Sequence, residues 1–210
     1  MEDAPTARAP IPSWLPNAIS VVRIALVPLW LAVALAVRSS SLAGVAPSRL
    51  PLVGILLALG ASDLVDGFLA RRFGLATNLG AVLDAVADKL AQIAIVTFLA
   101  LLGTPSIGEL PRSLWFVLVA RDLVLAIGWT TIRLARGHVR AEHRWHGKLS
   151  SAALFVLLVA CLGGLPRSWV DPVASAIAFF VAGSTLDYVR FGFAQLRSEE
   201  APRPPLAPPA

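Results

Sequence analysis

Six long apolar runs take up most of this 210-residue chain. A run of about twenty apolar residues is what a helix needs to cross the hydrocarbon core of a bilayer. The runs predict spans at Asn17–Val37, Leu50–Arg72, Leu79–Leu102, Ser113–Leu134, Lys148–Leu165 and Trp169–Phe193. Inside lipid each backbone N–H and C=O has to be satisfied within the segment, so the runs are expected to be helices. The expected fold is an all-α integral membrane protein with six transmembrane helices. Charged residues make up only 15% of the chain, against about a quarter in a soluble domain. The spans leave no room for a soluble unit, so one membrane domain is expected over residues 13–197. The flanks at 1–12 and 198–210, rich in Ala, Pro and charge, are expected to be disordered. The first run is too long for a signal peptide and lacks its flanking pattern, so it is expected to be retained.

Basic residues orient the spans. Arg8, Arg71, Arg72, Arg133, Arg136, Arg140, Arg144, Lys148, Arg197 and Arg203 fall on one side, and Arg38, Arg49, Arg112 and Arg167 on the other. Both termini are therefore expected in the cytoplasm. The net charge of +5 suits anionic head groups and phosphorylated ligands; no nucleic-acid motif is present. The single cysteine, Cys161, excludes an intrachain disulfide and is read as packing. Trp14, Trp30, Trp115, Trp145 and Trp169 mostly fall near expected span ends and are read as an interfacial aromatic belt.

Against this background four acids stand out: Asp63, Asp66, Asp84 and Asp88. A carboxylate at mid-membrane costs about 2.5–3.5 kcal/mol on insertion scales, so a cluster of four calls for cations. Residues three or four apart share a helix face. Asp63 and Asp66 therefore line one side of the second span near its cytoplasmic end, and Asp84 and Asp88 one side of the third. Gly67 and Gly80 lie one turn from Asp63 and Asp84 on the same faces, and Ala70 continues the small stripe. Small residues let a helix or a ligand approach the backbone. Thr77 or Asn78 is a cap for the third helix. Four carboxylates on an antiparallel helix pair form an oxygen-only donor set suited to Mg²⁺ or Mn²⁺. With no thiolate and no adjacent histidine, the set does not suit zinc. Beside Arg71, such a centre suits a phosphorylated lipid, since two metals neutralise a pyrophosphate and its leaving group. The competing reading is that the aspartates cap helices or pair with arginines at the interface.

The pattern D-x-x-D-G-x-x-A-R-x8-G-x3-D-x3-D, filled at every fixed position from Asp63 to Asp88, resembles the signature of the CDP-alcohol phosphatidyltransferases. The resemblance implies a homodimer of six-helix subunits in a bacterial inner membrane, with the active site on the cytoplasmic side. Each subunit would transfer a phosphatidyl group from CDP-diacylglycerol to an alcohol, releasing CMP, with two divalent cations as cofactors. It further implies that Asp63, Asp66 and Asp84 are metal ligands. Asp88 would be the general base on the acceptor hydroxyl, also touching the second metal. Gly67, Ala70, Arg71 and Gly80 would hold the CDP-lipid.

Several features resemble the glycerophosphate and cardiolipin branches. These are Pro16-Asn17…Arg23, Asp84-Ala-Val-Ala-Asp88-Lys89, Arg121-Asp122 and Trp145-His-Gly147-Lys148. Ala85 stands where those branches carry proline. Trp129 and Ser150-Ser151 stand where glycerophosphate enzymes carry an arginine and Lys-Thr. Glycerol 3-phosphate is the expected acceptor and phosphatidylglycerol, giving cardiolipin, the alternative. Arg121, Lys148, Arg133 and Arg190 are the candidate acceptor contacts, each with a plain structural role as its rival. Arg133 could mark the membrane edge, Arg190 could pair with Asp187, and Arg121 with a carboxylate of another helix. Arg23 either snorkels or orients a carboxylate.

Glu142-His143-Arg-Trp-His146 has a metal-like look, but it falls in a basic loop and is set aside. A membrane cation transporter would want acids spread towards both membrane faces, and here they cluster at one end. A dead scaffold would be expected to lack a motif residue, and none is lacking.

Overall fold

The computed structural model describes residues 15–46, 48–73, 78–136 and 145–197. Among these are six helices and no strand: α1 Leu15–Leu42, α2 Leu50–Phe73, α3 Asn78–Leu101, α4 Arg112–Arg136, α5 Trp145–Leu162 and α6 Arg167–Arg197. Each apolar run has become one helix. Three carry a stretch long and apolar enough to cross a membrane by length and composition, at Ala18–Leu42, Arg112–Leu134 and Arg167–Phe193. The apolar parts of α2 and α5 are shorter, at Leu50–Val65 and Leu149–Leu162. In α3 the charges Asp84, Asp88 and Lys89 interrupt the first half. The helices that depart from a plain span are thus, in α2 and α3, the ones that carry the acids.

Helix ends follow local chemistry. α1 runs five residues past the expected Val37, and there the hydroxyls of Ser39 and Ser40 donate to Ala36 O at 2.8 and 3.1 Å. α5 stops at Gly163-Gly164, where Gly164 takes a φ of 98° and Leu165 N donates to Ala160 O at 2.9 Å. A left-handed residue after the last turn is open to glycine at no steric cost. Expectations for the two tails, the Thr77 cap and the Glu142–Arg144 part of the basic loop fall outside the described residues, whereas Trp145 and His146, expected in that loop, open α5.

α1 packs on α2 and α3, α4 on α6, and α5 on α6 and α2. The interior face of α1 is Ser20, Arg23, Val27, Trp30 and Ala34, all buried and spaced three or four apart. Trp30 corrects the belt reading: it is fully buried, donates Nε1–H to Leu52 O at 3.1 Å, and meets Phe98 edge-on at 5.5 Å. Trp115 is also turned inward, donating to Thr97 Oγ1 at 3.0 Å, whereas Trp169 is exposed, as a belt residue would be. Phe179, Leu134, Phe116 and Phe193 stand exposed on the helix surfaces. So much outward apolar surface belongs against acyl chains, and the protein is a membrane protein.

At the end of α3 remote from the acids, the connection to α4 is pinned. Arg49 donates from Nε to Ser106 O at 2.7 Å, and Arg167 pairs with Glu109. Cys161 is buried there, its thiol 3.5 Å from Glu109 O, as packing predicts. Gly108 has a φ of 131°, and a Cβ on it would sit 2.9 Å from Cys161 O. Gly108→Ala is expected to cost about 1–3 kcal/mol from backbone strain while leaving Mn²⁺ affinity unchanged. A detergent-solubilised variant with a wild-type unfolding midpoint would contradict this.

Candidate active site

Helical spacing brings the two acidic pairs together. α2 carries Asp63 and Asp66 in its second half, and α3 carries Asp84 and Asp88 in its first half. One oxygen each from Asp63, Asp84 and Asp88 lies within 4.8 Å of the other two. Their side chains are 43%, 39% and 53% exposed, so the cluster is open on one side and reachable by a ligand. Asp66, Ala70 and Arg71 lie on α2, with side chains outside the described set, and Gly67 and Gly80 are half-buried on the same helix pair.

The centre of the cluster is a guanidinium. Arg23 of α1 is 1% exposed, and its Nη1 donates to Asp84 and, at 3.0 Å, to Asp88, while lying 3.3 Å from Asp63. Its Nε donates to Ser62 Oγ at 3.2 Å, and Ser62 in turn donates to Leu59 O at 2.8 Å. An unpaired guanidinium at this depth would cost several kcal/mol, and the acids offset that cost. Of the two roles open to Arg23, the structure assigns carboxylate orientation. The signal was in the sequence: Arg23 lies one turn or two from Ser20, Val27 and Trp30, on one face.

The donor set fits a hard divalent cation. Such an ion with ligand bonds of about 2.1 Å holds its oxygens at most about 4.2 Å apart. The observed spacing of up to 4.8 Å needs only a small contraction of flexible side chains. The three acids come from two helices, so an ion held among them would also tie α2 to α3.

The acceptor candidates are not gathered in the same way. Arg133 lies over the Trp129 ring at 4.9 Å, and Arg190 stands 4.0 Å from Asp187 one turn away; both find partners on their own helices. Arg121 of α4 has a buried Nε with no hydrogen-bond partner among the described residues. Its neighbour Asp122 accepts from Lys89 Nζ at 2.6 Å, a tie between α3 and α4 that sequence reading missed. Lys89 follows Asp88, and one residue turns a helix by about 100°, which carries Lys89 off the acidic face towards α4. Lys148 falls in the first turn of α5, its side chain outside the described set.

Comparison with known proteins adds to this geometry. A family model described as CDP-alcohol phosphatidyltransferase matches residues 13–187. The chain is 31% identical over 174 residues to the CDP-diacylglycerol–glycerol-3-phosphate 3-phosphatidyltransferase of Bacillus subtilis, covering 80% of this chain and 86% of that one. It is 34% identical over 140 residues to the Escherichia coli protein of the same name, covering 63% of this chain and 70% of that one. It is also 34% identical over 135 residues to a probable phosphatidylglycerophosphate synthase of Mycobacterium tuberculosis, covering 61% of this chain and 59% of that one.

Proposed function

The chain belongs to the CDP-alcohol phosphatidyltransferase family, and from that premise we propose that it transfers the phosphatidyl group of CDP-diacylglycerol to glycerol 3-phosphate, releasing CMP. It is a membrane-embedded transferase of phospholipid biosynthesis. The observation that carries the reading is the convergence of Asp63, Asp84 and Asp88 in a chain related over most of its length to transferases of that name.

Asp63, Asp66, Asp84 and Asp88 would hold two divalent cations, Mg²⁺ or Mn²⁺. When bound, these supply charge neutralisation for the pyrophosphate and the departing CMP. Gly67, Ala70 and Gly80 leave room for the cytidine and pyrophosphate against the helix backbone, and Arg71 adds a cation to the phosphates. Asp88 takes the proton of the acceptor hydroxyl as that oxygen attacks the phosphatidyl phosphorus. The bond from phosphorus to the CMP oxygen breaks, and CMP leaves with the electron pair. Arg121, with its unpartnered Nε, is the first candidate to meet the acceptor phosphate, followed by Lys148, Arg133 and Arg190. The basic flanks support a cytoplasmic placement of the acids and both termini, and the bacterial relatives support a bacterial inner membrane as the host. The catalytic unit is residues 13–197, acting as a homodimer.

The test is CMP release by purified protein in mixed micelles holding CDP-diacylglycerol and Mg²⁺ or Mn²⁺. Glycerol 3-phosphate, phosphatidylglycerol, inositol phosphate and serine are offered in parallel. CMP formed with glycerol 3-phosphate alone is expected. CMP with phosphatidylglycerol instead would move the protein to cardiolipin synthesis. Folded, Mn²⁺-binding protein that releases CMP with none of the four would overturn the assignment.

A further inference from the structure

The contacts of Arg23 go beyond neutralising its own charge. Its Nη1 meets Oδ1 of Asp63, Asp84 and Asp88, and each carboxylate belongs to the cluster able to hold an ion. The head group does not roam: it is 1% exposed, and its Nε is anchored on Ser62. Two demands therefore fall on the same three carboxylates. A guanidinium and a divalent ion that draw on one set of carboxylates compete for them, and the fixed positive charge repels the ion at short range. The same guanidinium orients the three carboxylates from α1, a helix that contributes no acid to the motif.

We propose that Arg23 is a positioning residue that acts as a tethered counter-cation: it orients Asp63, Asp84 and Asp88 and lowers their affinity for divalent cations. This rests on the carboxylate cluster being the metal centre of the transferase. Four carboxylates and two divalent ions sum to zero charge. Arg23 leaves the loaded centre positive by one, the sign that suits a pyrophosphate dianion. The arrangement gives up metal affinity for orientation and for a net charge matched to the substrate.

The signature is a split that a merely structural role would not produce. In Arg23→Met, Mn²⁺ should bind about tenfold more tightly, since a fixed charge a few ångströms away is removed. Turnover at saturating Mn²⁺ should fall about tenfold as the carboxylates lose their orientation. Arg23→Lys, which keeps the charge, should hold Mn²⁺ affinity near that of the wild type and recover part of the turnover. Affinity is read by electron paramagnetic resonance of free Mn²⁺ over full-length protein in detergent, independently of activity. If Arg23→Met fails to fold, Ser62→Ala replaces it, removing the acceptor of Nε and tightening Mn²⁺ to a smaller degree. Unchanged or weaker Mn²⁺ binding in whichever variant folds would overturn the inference alone. Wild-type protein that binds no Mn²⁺ would overturn the metal-centre reading beneath it.

Discussion

Asp88→Asn should leave a folded membrane protein that has lost phosphatidyl transfer by about three orders of magnitude. General-base catalysis by a positioned side chain contributes about 10²–10⁴, and an amide cannot accept the hydroxyl proton. The amide has the shape of the carboxylate, and its oxygen still accepts from Arg23 Nη1, which stands 3.0 Å from Asp88. Asp63 and Asp84 continue to pair with that guanidinium, so no charge is stranded and the helix packing should hold. The comparison that isolates the chemistry is Asp63→Asn, in which loss of metal affinity should come first. CMP release is measured for both variants over a Mn²⁺ series that runs up to saturation, with Mn²⁺ binding recorded on the same samples. Near-normal turnover in Asp88→Asn would sink the base assignment. Full loss in both, recovered by added Mn²⁺ in both, would reduce Asp88 to a ligand.

Much of this site was legible before any coordinates, and the reason is periodicity. Spacings of three and four residues put Asp63 with Asp66, and Asp84 with Asp88, on single helix faces. The short connection between the helices then allowed only an antiparallel pair. What periodicity could not reveal was which element from elsewhere in the chain would meet that face. Arg23 lies 40 residues before Asp63, and a lone arginine in an apolar run reads equally well as a snorkelling residue. Trp30 was misassigned for a related reason: distance from a span end says nothing about which face a residue occupies. The spacing Ser20, Arg23, Val27, Trp30, Ala34 did mark an interior face, hidden because lipid-facing positions of a membrane helix are as apolar as core ones. The acceptor cations were the least legible. Arg133 and Arg190 met Trp129 and Asp187, partners on their own helices, and a basic residue at a membrane edge carries no mark of its ligand.

The second large effect concerns the helix that carries Arg23. Trp30→Ala should destabilise the protein by about 3–5 kcal/mol, the range for emptying a buried tryptophan site. Within a bilayer little of that loss is hydrophobic transfer, because lipid tails are as apolar as the core. The loss is of dispersion contacts and of a filled cavity. Trp30 is fully buried, edge-on to Phe98 of α3 and hydrogen-bonded to Leu52 O of α2, so it joins three helices at one point. Trp30→Phe separates the terms. It keeps most of the ring and forfeits the Nε1–H bond, worth about 1 kcal/mol, with Leu52 O left within a helix. The order wild type, Phe, Ala in denaturation midpoint is expected, with the larger step from Phe to Ala. An Ala variant as stable as wild type would show that α1 does not depend on this contact. Arg23 lies seven residues before Trp30 on the same face, so the variant also tests how local the metal centre is. If Ser62 and the three carboxylates hold Arg23 by themselves, folded Trp30→Ala protein will bind Mn²⁺ as the wild type does. If α1 has to be seated by Trp30 for Arg23 to reach them, Mn²⁺ affinity will shift in the direction expected for Arg23→Met.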